Sequence, residues 1–156
     1  VDTEREALIK TAIEAAEGRL PIIAGTSHSG TRATIHLSQK AQELGVCGVM
    51  ITPSREPVPN TQRIFEYVQQ VGANINIPIV LQDHPASTQV HMPTDLILQM
   101  IFEIPAIACI KEESTPTPPK ITALRNAMNR PVPILTGLGA LYARFDLERG
   151  IDGFMT

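Results

Sequence analysis

The sequence predicts a parallel α/β fold, and three observations carry that prediction. Helix-like and strand-like segments alternate from end to end. Residues 106–110 form an uninterrupted small or apolar run, as in a strand covered on both faces. Polar and chemically active residues follow the strands, whereas turns of glycine, proline and asparagine precede them.

Taken in order, residues 3–17 set Ala7, Leu8, Ala12, Ile13 and Ala16 at helical spacing, with Asp2 or Thr3 as N-cap and Gly18 as the stop. Residues 21–24 make a short buried strand that enters a Thr/Ser/Gly loop. A second helix, 31–44, gathers Ala33, Ile35, Leu37, Ala41 and Leu44 on one side and stops at Gly45. Strand 46–51 runs into a proline-rich loop. Asn60 or Thr61 caps a third helix reaching about residue 71.

Strand 78–81 runs into Gln82, Asp83, His84 and Pro85. Pro93 and Thr94 start a helix to residue 102, proline being tolerated in a first turn. Strand 106–110 ends at Lys111, Glu112 and Glu113. Pro118 and Pro119 lead a helix to about residue 128. Strand 131–135 ends in Thr136 and Gly137, and a helix at 140–148 and a strand at 151–155 complete the series.

Six such strands recurring about every 25 residues imply right-handed crossovers in one parallel sheet. A doubly wound sheet and a (β/α)8 barrel both have this pattern. No Gly-x-Gly-x-x-Gly follows any strand, which weakens the dinucleotide-binding version. A complete barrel needs eight units and about 250 residues. Residues 1–156 therefore read as one domain, a TIM barrel segment covering strands 3 to 8 without the first two strands and the last helix.

Composition narrows the function. The chain is 43% hydrophobic with a net charge of -3 and 4% aromatic residues, so nucleic acid finds neither an electrostatic footprint nor a stacking surface. No apolar run approaches the roughly 20 residues that span a bilayer. Cys47 and Cys109 lie in apolar runs without metal spacing and read as buried free thiols, which suits a reducing cytoplasm. The histidines and carboxylates show no metal-ligand spacing either, so no metal site is expected.

The chemistry centres on Lys111. The other three lysines, Lys10, Lys40 and Lys120, sit in polar, helix-like surroundings, whereas Lys111 ends a buried strand. An amine there can attack a carbonyl and form a Schiff base. On pattern alone, a solvated Lys-Glu-Glu cluster at the surface is the commoner arrangement. In a barrel, the residues after each strand converge on one mouth. This gathers Thr52, Gln82, Asp83, His84, Lys111, Gly137 and Thr156. His84 is a candidate general base or a loop histidine bonded to backbone; Asp83 binds hydroxyls or caps the turn into Pro85.

Gly25-Thr26, Thr52-Pro53, Pro85 and Ile110-Lys111-Glu112, in this order and spacing, resemble the dihydrodipicolinate synthase / N-acetylneuraminate lyase family of class I aldolase-type (β/α)8 barrels. With that resemblance the reading of Lys111 reverses in favour of the Schiff base. It implies that the amine condenses with the ketone of pyruvate or another 2-oxo acid. The iminium then acts as an electron sink for bond making or breaking at the adjacent carbon, with no cofactor beyond the lysine imine. The family's Gly-x-x-Gly-Glu loop, which holds the pyruvate carboxylate, has its place upstream of Val1. Homo-oligomers are the family habit.

This sequence also departs from the family. Gln82 stands where members carry a proton-shuttling tyrosine, Pro53-Ser54-Arg55 replaces Pro-Tyr-Tyr, and Ser87 stands at the place of the synthase's substrate arginine. The departures argue against dihydrodipicolinate synthase activity itself. Asp83 or His84 is expected to replace the tyrosine as acid or base, with Gln82, Thr52, Gly137 and Thr156 binding substrate. A 2-keto-3-deoxy sugar acid aldolase or dehydratase is one alternative; a non-catalytic barrel that binds a 2-oxo acid is another.

Overall fold

The computed structural model describes residues 2–58 and 60–156. Its elements are α1 (Asp2–Ala16), β1 (Ile23–Gly25), α2 (Thr31–Leu44), β2 (Gly48–Ile51), α3 (Thr61–Ala73), β3 (Ile79–Asp83), α4 (Pro85–Thr88), α5 (Thr94–Glu103), β4 (Ile107–Glu112), α6 (Thr117–Ala127), β5 (Ile134–Thr136), α7 (Ala143–Glu148) and β6 (Gly153–Phe154). A short 3-10 turn, Leu138–Ala140, separates β5 from α7. The strands form one parallel sheet in sequence order, curled into a half-barrel. A strand order without reversal has no switch point, which removes the doubly wound alternative.

The helix boundaries follow local chemistry. Gly45 ends α2 in a left-handed conformation (φ 95°) and returns its N–H to the α2 carbonyls. Asn60 caps α3, its side chain accepting from the Arg63 N–H at 3.2 Å. The first helix differs from expectation. Ala7, Leu8 and Ala12 are exposed, and α1 reaches inward through the partly buried Ile9 and Ile13 and the buried Ala16. It lies at the sheet edge beside β1 and packs on α2, so one flank has no neighbour among the described residues.

The sheet has two unlike faces. Val49, Ile51, Ile79, Leu81, Ile107, Ile110 and Ile134 are fully buried and lie on the convex face under the helices. Ile51, Leu81, Ile110 and Ile134 are register partners across four strands. Side chains alternate along a strand, so Met50, Val80, Gln82, Cys109, Lys111 and Leu135 belong to the concave face. Most of these are only half-buried. The expectation that β4 is covered on both faces is corrected accordingly, with Ala108 exposed and Cys109 half-buried.

A β-bulge sets the face of Lys111. Ile79 pairs with Ile107 and Val80 with Cys109, which leaves Ala108 as the extra residue. Without it, Ile107 and Ile110, three apart, would face opposite sides. With it, both isoleucines enter the core and Lys111 faces the concavity.

The two cysteines are free, as expected, but not buried as expected. Cys47 is exposed and Cys109 intermediate. Cys47 precedes the first paired residue of β2, and Cys109 lies on the open concave face.

Candidate active site

Register builds the site in two layers. Gln82 pairs with Lys111, and Lys111 with Leu135. Thr52 follows Ile51, the partner of Leu81, and so joins this row on the β2 side. Ser27 adjoins it, its hydroxyl accepting from the Thr52 N–H at 2.9 Å. Two residues further along each strand, on the same face, come His84, Glu113 and Gly137.

Lys111 and Glu113 form the centre of the site. The Lys111 side chain is 10% exposed and that of Glu113 5%, with Nζ 3.4 Å from Oε2. Gln82 Nε2 donates to the same oxygen at 2.6 Å. The Leu138 N–H donates to Oε1 at 3.2 Å. His84 Nδ1 lies 3.9 Å from Oε2 and 2.9 Å from Ser87 Oγ. A buried carboxylate so fixed from both sides is oriented toward the amine before any ligand arrives.

The turn after β5 is shaped for this contact. A Cβ at Gly137 would lie 1.9 Å from Glu113 Oε1, so with the Glu113 carboxylate in this position only glycine fits. Leu138 and Ala140 then hold positive φ angles of 53° and 58°. Non-glycine residues in that region cost roughly 1–2 kcal/mol each. The strain sits where the backbone turns to present the Leu138 N–H to Glu113.

Asp83 and Glu112 belong to the other face. They pair one register step beyond Gln82 and Lys111, and both are fully buried toward α6. Lys120 of α6 forms an ion pair with Asp83, donates to the Met92 carbonyl at 2.6 Å, and lies 3.9 Å from Glu112. Asp83 Oδ1 and Glu112 Oε2 are buried without a hydrogen-bond partner. Two carboxylates share one ammonium here. Burial, and then the Asp83 charge, push the Glu112 carboxyl up to about 8. Burial likewise raises Asp83 above its ordinary value, with Lys120 opposing. The cluster therefore carries a proton at neutral pH.

The structure brings Lys111, Gln82, His84 and Gly137 together, with Thr52 in the same row as Gln82. It does not bring Asp83 to Lys111, because β3 continues through Asp83 and the pleat turns that carboxylate to the helix side. Thr156 is exposed past β6. Thr52 Oγ1 is buried without a hydrogen-bond partner. Glu113 is the residue the sequence reading did not single out. Its signal was present: it stands two residues after Lys111, which in a strand means the same face.

The arrangement can hold an amine and a carboxylate against a carbonyl compound inside a concave sheet. A family model described as "Dihydrodipicolinate synthetase family" matches residues 2–156. The chain is 35% identical to L-2-keto-3-deoxyarabonate dehydratase of Azospirillum brasilense, over 99% of this chain and 51% of that protein. It is 36% identical to 4-hydroxy-tetrahydrodipicolinate synthase 1 of Halalkalibacterium halodurans, over 71% of this chain and 37% of that protein. Among solved structures, dihydrodipicolinate synthase from Rhodopseudomonas palustris superposes with a TM-score of 0.90 at 33% identity, covering 100% of this chain and 53% of that one. The chain spans about half the length, or less, of the curated relatives it matches.

Proposed function

The chain belongs to the dihydrodipicolinate synthetase family, and from that premise we propose that the protein is a class I lyase or synthase acting through a Schiff base between Lys111 and a 2-oxo acid such as pyruvate. Residues 1–156 form a single domain in this reading and supply strands 3 to 8 of a TIM barrel. The observation that carries the reading is the buried Lys111 amine on the concave face, 3.4 Å from a fixed carboxylate. The amine attacks the C2 carbonyl, water leaves, and the iminium draws electrons from the adjacent carbon. Gln82, Thr52 and Gly137 contact the substrate, His84 lies at the rim, and no separate cofactor is required. A homo-oligomer in the cytoplasm is the expected setting; the two free thiols are in keeping with a reducing compartment.

A more specific reading is favoured by two observations. The dehydratase relative covers nearly the whole chain, and the concave face offers Gln82 at the place of the family's tyrosine, with Glu113 and His84 beside it. Such a polar set suits a hydroxylated carbon chain. The substrate is then a 2-keto-3-deoxy sugar acid, which loses water or undergoes aldol cleavage. A barrel that only binds a 2-oxo acid has no use for the Lys111–Glu113 pair.

Borohydride reduction in the presence of pyruvate tests the reading. Intact mass should show a pyruvyl adduct that disappears in Lys111→Ala. A folded wild-type protein that gives no adduct with pyruvate or with any 2-keto-3-deoxy acid removes Schiff-base chemistry.

A further inference from the structure

We propose that Glu113 is the acid–base residue of this site, the group that moves protons to and from the imine and the carbon beside it. The inference rests on the Schiff-base reading above and adds a residue and a step to it. Four features of the structure lead to it. Among the described residues, Glu113 is the one carboxylate in ion-pair reach of Lys111, because Asp83 and Glu112 face the helices instead. Its two oxygens are separately held, Oε2 by Gln82 and Oε1 by the Leu138 N–H. Gly137 is stripped of a side chain where Glu113 passes. His84, its side chain 24% exposed, stands 3.9 Å from Oε2 between the buried carboxylate and the rim.

The steps balance. Glu113 takes a proton from the Lys111 ammonium, freeing the amine to attack the C2 carbonyl. The carbinolamine hydroxyl then leaves as water, carrying the proton that Glu113 had taken. The products are the iminium and the carboxylate. The carbon beside C2 is two bonds from Nζ, within the radius that a carboxylate touching Nζ can serve. Glu113 removes a proton from that carbon, and its electron pair becomes the enamine double bond as the iminium nitrogen is neutralised. With a hydroxyl at C4, the same carboxylic acid returns its proton to the departing oxygen. Water leaves, the enamine electrons form the C3–C4 double bond, and the iminium is restored. With pyruvate there is no leaving group, so the proton goes back to the methyl carbon after exchanging with solvent.

Methyl-proton exchange of pyruvate in deuterated water, read per imine formed, tests the assignment. Adduct formed with borohydride is measured on the same samples. Wild type should give both adduct and exchange. Glu113→Gln should still give adduct, formed more slowly because solvent must then move the imine protons, while exchange per imine falls about 100-fold or more, the usual worth of a positioned acid or base. Glu113→Asp keeps a carboxylate but draws it back from the amine, and it should recover part of the exchange. It also serves if the glutamine variant does not fold, in which case exchange about tenfold below wild type is expected. Adduct in Glu113→Gln with exchange within threefold of wild type overturns this proposal and leaves the Schiff base intact; if only Glu113→Asp folds, undiminished exchange does the same. No adduct on folded wild type overturns the Schiff-base reading and this proposal with it.

Discussion

Lys111 and Glu112 are neighbours in the chain but face opposite sides of the sheet. The Lys111 amine meets Glu113 on the concave side, while the Glu112 carboxylate is sealed with Asp83 and Lys120 beneath α6. One strand end thus carries two separate charge clusters. The concave one is the site proposed to meet the substrate. The convex one ties β3, β4 and α6 together behind it, one register step beyond the Gln82–Lys111 pair.

Removing Lys120 should be costly for that reason. Lys120→Met leaves Asp83 and Glu112 buried without the ammonium they share, and loss of one partner from a buried ion pair typically costs about 3–5 kcal/mol. Adding Glu112→Gln removes one of the two carboxylates, so the double variant should recover part of the loss. Urea unfolding of the two single variants and the double variant gives the coupling. Simple addition of the two single effects would show that the three side chains do not act as a unit.

The same cluster makes stability depend on pH with a particular sign. Glu112 titrates near 4.5 when unexposed to the fold's influence and at about 8 in the folded chain. Between those values the folded state binds more protons, so stability falls as pH rises and levels off above about 8. Asp83 is shifted the same way and adds to the slope. Melting temperature should fall on the order of 5–10 °C between pH 5 and 8. Glu112→Gln should flatten that fall. An equally steep fall in the variant would assign the dependence to other groups.

The sequence made the sheet legible because buried parallel strands need continuous apolar runs, and 46–51, 78–81 and 106–110 have them. Strand ends were harder to read. Hydrophobicity stops at Leu81 and Ile110, but pairing continues through Asp83 and Glu112, since backbone hydrogen bonds do not depend on apolar side chains. Those two extra residues decide which charges face inward. Lys111 was found from its place at the end of a strand, yet Asp83 was assigned to the mouth because its strand was read as already finished. The bulge at Ala108 has no sequence signature of its own. Glu113 became visible only once β4 was known to run far enough for alternation to apply.

The convex core should respond to truncation in the ordinary way. Ile110 is fully buried and pairs in register with Leu81 and Ile134. Ile110→Ala removes three carbons from a packed layer and should cost about 2–5 kcal/mol. Borohydride trapping per folded molecule should change little, because the side chain points away from Lys111. A large loss of trapping at full folding would mean that the layer controls the amine directly.

Gly137→Ala should give the opposite result. Its φ of -112° lies outside the left-handed region. The new methyl, however, would fall 1.9 Å from Glu113 Oε1 and 2.5 Å from its Cδ. Glu113 must swing away, releasing the Leu138 N–H and moving Oε2 off the Lys111 amine. Losing one buried hydrogen bond costs about 1–3 kcal/mol, which a domain of this size can absorb. Turnover should suffer more, by roughly 10–100-fold, since a misplacement of about 1 Å at the reacting group costs on that scale. Melting temperature and single-turnover kinetics on the same preparation separate the two effects. Normal turnover in folded Gly137→Ala would show that the position of Glu113 against Lys111 is immaterial to the chemistry.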